Sequence, residues 1–389
     1  MNNFLSIRTD QNRVFGLDIL RAFAILFVVF EHGNIIIKNI GIEIPSLDGV
    51  SIFFVLSGFL IGGILIKVIE KNGATFGVLT NFWIRRWFRT LPNYFLILTI
   101  LVVMSVIIDG LNVMEVKKYF VFAQNFASIH PGFFPEAWSL SIEEWFYLLF
   151  PPLLFIVIAL LPVNKKRAIL FVAIFIIIET VFIRYYRYLN LNIETKTQWD
   201  DIFRKQVISR FDSLMFGVIG AYISFYYQEF WKKRSKLYFI GGLIILILHK
   251  YSLYLRGSHN LDFNSYYCVF SFSLSSIGTL LLIPYLTQVK SGKNFIYRQF
   301  TIISLISYSM YLINLSLVQR IIIPLLFKFI NIKSLVISTL VQYIIYWVIV
   351  IVGSIIIYKY YEVPFMALRD KFKPFKLKHL FRKTARTIS

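Results

Sequence analysis

Cysteine is nearly absent from this chain of 389 residues, which contains only Cys268, within an apolar segment. A single cysteine excludes an intrachain disulfide framework and a zinc site built from cysteines. The histidines His130, His249 and His259 are predicted to be solvated in outer loops, and their spacing is not that of metal ligands. We therefore expect no bound metal ion.

Acidic residues are also scarce, with 20 Asp and Glu against 41 Lys and Arg and a net charge of +21. In a soluble protein this excess would indicate nucleic-acid binding. Here most of the Lys and Arg fall in short gaps between apolar runs, so we expect no nucleic-acid partner. Hydrophobic residues make up 58% of the chain and the mean hydropathy is +0.69, which predicts a protein surrounded by membrane lipids.

Ten apolar runs are long enough to cross a hydrocarbon layer of about 30 Å, which takes roughly 20 residues. They fall near 15–38, 49–70, 88–108, 140–161, 167–186, 207–228, 237–256, 264–287, 301–329 and 334–358. The sequence therefore predicts an all-α polytopic membrane protein with about ten transmembrane helices.

The positive charges predict the orientation of these spans. If the N-terminus is cytoplasmic, the inner segments hold about twice as many Lys and Arg as the outer ones, which is the pattern of the positive-inside rule. Both termini are then cytoplasmic. Residues 1–365 are predicted to form the membrane domain and 366–389 a basic cytoplasmic tail.

The first span, LDILRAFAILFVVFEHG, contains ionisable residues that are costly in hydrocarbon. Arg21 and His32 are eleven residues apart, which returns a helix to within about 20° of the same face, about 16 Å further along. Asp18 can pair with Arg21 across one turn. We interpret the shared face as part of a functional site. The alternative is that Arg21 reaches lipid phosphate and His32 lies among the outer headgroups.

Two further clusters carry charge into apolar runs. In NFWIRRWFRTLPNYF, Arg85, Arg86 and Arg89 lie at the predicted cytoplasmic entrance to the third span, where guanidinium groups could bind phosphate or anchor the helix. In AWSLSIEEWFYLLFPP, Glu143 and Glu144 enter the outer end of the fourth span, and at least one must face protein if the helix continues. Both could instead be interfacial.

One glycine pattern predicts helix packing. The segment GVSIFFVLSGFLIGG places Gly58 and Gly62 in GxxxG spacing, which is typical of a close contact between membrane helices.

Taken in order, these segments resemble the acyltransferase type 3 family, integral-membrane enzymes that O-acylate sugars of bacterial surface polysaccharides. The resemblance covers nearly the whole chain. It rests on LDILRAFAILFVVFEH, GVSIFFVLSGFLI, RRWFRTLPNYF, AQNF, AWSLSIEEWFYLLFP, SRFDSLMFGVIGA, ISYSMYL and YYEVPF. Family members often have a histidine soon after the block corresponding to ISYSMYL, whereas this chain has Asn314 in that region, so the role of that histidine is absent or taken over.

The resemblance implies that Arg21 and His32 are essential, that Arg86 and Arg89 serve the acyl-CoA, and that the block from Trp138 to Glu144 belongs to the site. The expected catalytic residues are His32, Glu143 and Glu144; the expected acyl-CoA-binding residues are Arg21, Arg85, Arg86 and Arg89; and Asp18, Trp138 and Ser139 are expected to support them. His32 could act as a general base toward a hydroxyl or could carry the acyl group covalently. The sequence is compatible with either role.

The expected function is a multi-pass O-acetyltransferase of the bacterial inner membrane. Acetyl-CoA in the cytoplasm is the expected donor, no cofactor is expected to bind tightly, and a glycan or lipid-linked glycan is the expected acceptor. Lipopolysaccharide O-antigen is the first expectation for that acceptor. Peptidoglycan, capsule or a small secreted molecule are alternatives within the enzyme class, and a transporter without acyl transfer is an alternative outside it.

Overall fold

The structure, a computed structural model, describes residues 13–44, 46–161, 164–257, 263–290, 294–330, 332–369 and 371. Within these ranges the chain is helical and forms no strand, which confirms the all-α prediction. The long helices are α1 (Phe15–Ile37), α2 (Gly49–Asn72), α3 (Phe76–Asp109), α4 (Ala137–Leu160), α5 (Lys165–Asn190), α6 (Phe211–Tyr226), α7 (Ser235–Gly257), α8 (Tyr266–Leu286), α9 (Phe295–Phe327) and α10 (Leu335–Arg369).

Eight of these helices are long and apolar enough to cross a membrane, namely α1 to α5 and α8 to α10. The helix α6 has only 16 residues and α7 is not among the eight. The chain is therefore a multi-pass membrane protein, and a membrane crossing by α6 and α7 stays a prediction. The helix α10 runs without a break through the boundary predicted at residue 365, although it contains a π-helical turn at Tyr358–Glu362.

Contacts between helix ends show that α1, α5 and α9 run antiparallel to α2, α6 and α8. One end of the bundle joins the starts of α1, α5 and α9 to the ends of α2, α6 and α8. Its contacts are Phe15 on Tyr297, Lys165 on the Ile69 carbonyl, Lys166 over the Tyr227 ring and Trp231 on the Thr287 hydroxyl. The opposite end joins the remaining loops, through Asn34 on Ile44, Arg204 on Asp48, Trp199 on the Tyr267 carbonyl and Arg320 on the Gly132 carbonyl. By the predicted orientation, the first is the inner end and the second the outer end.

The glycines of the GxxxG pattern lie where α2 and α6 pack. A Cβ atom at Gly58 would lie 1.9 Å from the Leu214 carbonyl oxygen, and one at Gly217 would lie 2.1 Å from the Val55 carbonyl oxygen. A Cβ atom at Gly62 would also lie close to α6, 3.1 Å from Val218. The predicted packing face is confirmed, because the backbones approach too closely for any side chain.

A fully buried ion pair joins α5 to the start of α6. Arg184 donates to the Asp212 carboxylate at 2.7 Å, both side chains are 0% exposed, and Arg184 also donates to the Ser209 carbonyl at 2.9 Å. Removing one partner of a buried pair leaves an uncompensated charge. This pair is therefore a specific determinant of how the outer end of the bundle is held together.

We expect Asp212→Ala to destabilise the protein by about 3–5 kcal/mol, because Arg184 would be left charged and unpaired. Thermal unfolding in detergent would measure the loss. The control is Asp201→Ala, which removes a partly exposed pair with Lys205 at 3.0 Å and should cost at most about 1 kcal/mol. Equal destabilisation by the two variants would contradict the structural role of the buried pair.

The orientation of the bundle can be tested by thiol labelling in intact cells. With Cys268 replaced by Ser, cysteines at the exposed positions Asn39 and Ile129 should react with an impermeant reagent because these loops lie outside. A cysteine at the exposed position Lys71 should react only after the membrane is opened. The opposite pattern would invert the topology predicted from charge.

Candidate functional site

A cavity of about 210 Å³ lies inside the bundle, between α1, α2, α3, α4 and α9. Most of the charged residues selected from the sequence line it. They are Arg21, Arg86, Arg89, Glu143 and Glu144, and the predicted supporting residue Ser139 lines it as well. Residues from distant parts of the chain thus converge on one space within the membrane domain.

The helix α3 presents Arg86 and Arg89 to the cavity because they are one turn apart. Arg85 is exposed and is not among the residues that line the cavity, so its predicted contact with an acyl donor has no support from this geometry. The helix begins at Phe76, well before the predicted start at residue 88. Arg86 is therefore about 15 Å along α3, where it lines the cavity between the helices.

The Glu143 carboxylate is part of a hydrogen-bonded chain. The Tyr147 hydroxyl donates to Glu143 at 2.6 Å, and Arg86 donates to the same hydroxyl at 3.2 Å while its guanidinium carbon lies 4.7 Å from the Tyr147 ring centroid. Ser57 also contacts the Tyr147 hydroxyl at 2.6 Å. These hydrogen bonds connect α2, α3 and α4 around the cavity.

The Glu144 carboxylate is held separately, by α3. The Thr90 hydroxyl donates to Glu144 at 2.7 Å, and the Tyr308 hydroxyl of α9 donates to the Thr90 carbonyl at 2.8 Å. The prediction grouped Glu143 and Glu144 with His32 at the outer end, whereas the structure groups them with the arginines. The difference arises because Glu143 lies about 9 Å inside α4, and α3 carries its arginines to the same depth.

The charged groups around the cavity do not neutralise one another by direct pairing. Within the described part of the chain, Arg21, Arg86 and Arg89 form no ion pair with Glu143 or Glu144. An unpaired charge in the interior of a membrane protein is costly and marks a ligand or ion pathway. The guanidinium groups are therefore available to bind an anionic ligand.

Asp18 does not form the predicted pair with Arg21. It forms an ion pair with Arg13, just before α1, and accepts a hydrogen bond from the Ser304 hydroxyl at 2.7 Å. Asp18 still attracts the Arg21 guanidinium at longer range, whereas the charges of Arg86 and Arg89 repel it. The direct contacts of Asp18 instead join the start of α1 to α9.

His32 does not line the cavity. It belongs to a second group of residues at the outer end of the bundle, which we call the outer group and which comprises His32, Asn314, Glu136 and Ser316. The Nδ1 atom of His32 is 2.5 Å from Oδ1 of Asn314. Asn314 is fully buried and donates through its side-chain nitrogen to the carbonyls of Met310 and Tyr311, both at 2.8 Å. Asn314 opens a π-helical segment, Asn314–Ile322, within α9.

Tyr311 connects this outer group to the cavity. Its ring lines the cavity, and its hydroxyl is 2.6 Å from the Ser139 hydroxyl and donates to the Glu136 carbonyl at 3.0 Å. The Glu136 carboxylate accepts from the Ser316 backbone and hydroxyl at 2.9 and 2.6 Å. Since Tyr311 and Asn314 are three residues apart, a residue that lines the cavity lies about one helical turn, or about 5 Å along α9, from the residue that contacts His32.

Trp138 packs behind Phe54, a residue that lines the cavity. Its ring packs edge-on against Phe54, with centroids 5.9 Å apart, and the Arg204 guanidinium carbon lies 4.9 Å from its centroid. Trp138 is buried and does not line the cavity. Its position therefore fits the supporting role expected from the sequence, although that role stays a prediction.

The histidines outside α1 differ in their surroundings. His130 is buried, contrary to the prediction that it is solvated, and burial together with the nearby Lys205 lowers its pKa to about 3. His249 is half-buried and lies 3.0 Å from the Tyr266 hydroxyl. His259 lies outside the described residues. Among the described residues, no group of three or more potential ligands could hold a metal ion.

Several residues of the site gave little signal in the sequence. Asn314 was notable only as a departure from the family pattern, and Tyr311 resembles many other aromatic residues in apolar segments. Glu136 precedes α4 and could have been read as a surface residue, yet it is 1% exposed. Glu362, in the YYEVPF block, is also buried and accepts from Asn93 at 2.8 Å.

Comparisons with known proteins give a consistent result. A family model described as an acyltransferase domain matches residues 14–359. A peptidoglycan O-acetyltransferase of Listeria monocytogenes is 33% identical over 164 residues, which are 38% of this chain and 25% of the relative.

Two further relatives show similar partial matches. A putative O-acetyltransferase of Staphylococcus aureus is 33% identical over 171 residues, which are 40% of this chain and 27% of the relative. A putative peptidoglycan O-acetyltransferase of Bacillus subtilis is 34% identical over 180 residues, which are 41% of this chain and 26% of the relative. The alignments thus span only about a quarter of these curated relatives. No solved structure matches the chain.

Glu136 should make stability depend on pH. Burial raises its pKa to about 7, despite the hydrogen bonds from Ser316, against about 4.3 in an unfolded chain. Between these values the folded state retains a proton that the unfolded state has lost, so stability falls as pH rises from about 4 to about 7. Glu136→Gln cannot titrate and should gain stability relative to the unmodified protein over this range.

Thermal unfolding of both proteins in detergent across this pH range would measure the difference. Glu115→Gln is the control, because Glu115 is exposed. A difference between Glu136→Gln and the unmodified protein that stays constant with pH would show that Glu136 does not titrate in this way.

Proposed function

Since the chain belongs to the acyltransferase type 3 family, whose domain model covers residues 14–359, we propose that it is a membrane O-acetyltransferase. In this proposal it transfers an acetyl group from cytoplasmic acetyl-CoA to a hydroxyl of a glycan outside the bacterial cell membrane. One observation carries the proposal. A cavity within the bundle presents Arg21, Arg86 and Arg89 without direct ion pairs, and its other end lies one helical turn from the residue that binds His32.

The arginines are proposed to bind the phosphate groups of the donor. A guanidinium group forms two parallel hydrogen bonds to phosphate, and such charge-assisted bonds are the strong ones. Glu143 and Glu144 line the same cavity. Their carboxylates can accept hydrogen bonds from the amide groups of the pantetheine arm, which would direct the thioester toward Ser139 and Tyr311.

His32 is proposed to serve the acyl-transfer step at the outer end. As a general base, its imidazole takes the proton of the acceptor hydroxyl while the hydroxyl oxygen attacks the thioester carbonyl. The carbon–sulfur bond then breaks, and the CoA sulfur leaves as a thiolate that accepts a proton. In the alternative, the imidazole attacks the thioester carbonyl first, and the carbon–sulfur bond breaks to release the CoA thiolate. The acyl-imidazole then transfers the acetyl group to the acceptor oxygen, and the hydroxyl proton passes to the thiolate.

The acceptor is proposed to be a cell-wall glycan. Two of the relatives are named as peptidoglycan O-acetyltransferases, one of them as putative, and these names favour peptidoglycan over the lipopolysaccharide O-antigen expected from the sequence. The family match and the unpaired arginines favour an acyl-transfer enzyme over a transporter. The bacterial cell membrane is the proposed location.

We expect His32→Ala to abolish O-acetylation while the amount of protein in the membrane is retained, because His32 is half-buried and can be truncated without collapse of the core. Ester-linked acetate would be measured on the cell wall of cells with and without the variant. His249→Ala is the control, since His249 is also half-buried and also contacts one polar side chain. Normal ester content with His32→Ala would remove His32 from the mechanism.

We expect Arg86→Ala and Arg89→Ala to raise the apparent KM for acetyl-CoA by roughly one to two decades, since a hydrogen bond to a charged group contributes about 1.5–3 kcal/mol. The rate of acetyl transfer from labelled acetyl-CoA would be measured in membrane vesicles. Arg85→Ala is the matched control, because it removes the same charge from a position on α3 that does not line the cavity. If all three variants behave alike, the arginines orient the helix and do not bind the donor.

A further inference from the structure

We propose that Asn314 is a positioning residue, which holds the His32 imidazole with a proton on Nδ1 and leaves Nε2 free to act on the substrate. This inference rests on the proposed function of His32. It adds a residue that the sequence identified only as a departure from the family pattern, and it specifies which ring nitrogen acts. The orientation of the Asn314 amide decides which ring nitrogen of His32 is free.

The amide orientation is fixed by contacts within α9. The side-chain nitrogen of Asn314 donates to the carbonyl oxygens of Met310 and Tyr311, both at 2.8 Å. Carbonyl oxygens only accept hydrogen bonds. Reversing the amide would therefore place its oxygen against two acceptors, in a site that is 0% exposed and offers no bulk water as a replacement partner.

The fixed amide in turn determines the tautomer of His32. The Asn314 oxygen faces Nδ1 of His32 at 2.5 Å and can only accept, so Nδ1 must carry the hydrogen. A neutral imidazole then has its lone pair on Nε2. Among the described residues, no hydrogen bond occupies Nε2. This is the arrangement that both a general base and a nucleophile require.

The π-helical segment explains why an amide fits at this position. At the change of helix type, the Ser316 N–H is directed to the Glu136 carboxylate at 2.9 Å. The Asn314 side chain supplies a donor to the Tyr311 carbonyl in the preceding turn. A leucine of similar size could fill the space, but it could neither supply that donor nor accept from His32.

The test compares Asn314→Leu with Asn314→Asp in the whole chain, in membrane vesicles permeabilised with detergent so that both sides of the membrane are accessible. Acetyl-CoA is the donor and a soluble oligomer of N-acetylglucosamine is the acceptor probe. Asn314→Leu should lower kcat by about 10- to 100-fold, the usual cost of removing the partner that orients an imidazole, with an unchanged KM for acetyl-CoA. Asn314→Asp retains an oxygen facing Nδ1, and its neutral acid can donate through the hydroxyl to one of the two carbonyls that the amide nitrogen now contacts. It should recover at least about tenfold of that loss.

Thr301→Val is the matched control. Thr301 is a buried polar residue of α9 that donates to a backbone carbonyl four residues earlier, at 3.0 Å, and lies far from His32 in the same helix. It should retain normal kcat. A normal kcat in Asn314→Leu, or an equal loss in Asn314→Leu and Asn314→Asp with no recovery, would overturn the proposal.

A measurement that does not need activity separates this proposal from the proposed function. Nitrogen-15 NMR of histidine-labelled protein, with His32→Ala used to assign the signal, should show a protonated Nδ1 and an unprotonated Nε2. Asn314→Leu should lose this preference. A proton on Nε2 in the unmodified protein would overturn the role of Asn314 even if the enzyme is active. Conversely, the expected tautomer in a protein that transfers no acetyl group would contradict only the proposed function.

Discussion

The cost of placing charge in hydrocarbon governs the arrangement of this molecule. A guanidinium or carboxylate within a membrane helix must face other protein groups, a ligand or water. Helices α1, α3 and α4 each carry such groups, and all three turn them toward one cavity. Their mutual orientation is thereby fixed by electrostatics as well as by packing. The apolar outer surfaces of the helices are then free to contact lipid.

The two parts of the site fit the two substrates of the proposed reaction. The cavity combines positive charge with hydrogen-bond acceptors and suits a long polar donor that carries phosphate. The outer group has the His32 imidazole, held by Asn314, and buried hydroxyls, which suit an uncharged sugar hydroxyl. Tyr311 lines the first and contacts Glu136 of the second. A single helix, α9, thus carries side chains that belong to both parts.

The sequence predicted which charged residues belong to the site better than it predicted where the helices that carry them begin. Arg21, Arg86 and Glu143 were identified because charge is rare in apolar segments, and the packing of Gly58 followed from a spacing rule. The start of α3 was predicted twelve residues late because the helix begins among polar, aromatic and charged residues, which lower the hydropathy there. Asn314 could not be assigned a contact, because a neutral polar residue gives little periodic signal and a π-helical turn alters which residues share a face.

The glycine contacts between α2 and α6 have a mechanical consequence. The backbones of α2 and α6 already touch at Gly58 and Gly217, so these helices can neither slide along each other nor move closer. We expect them to move as one rigid unit. The helix α2 forms one wall of the cavity, and this wall therefore keeps its position relative to α6. The cavity can therefore widen for a bulky molecule only if α1, α3, α4 or α9 moves relative to α2 and α6.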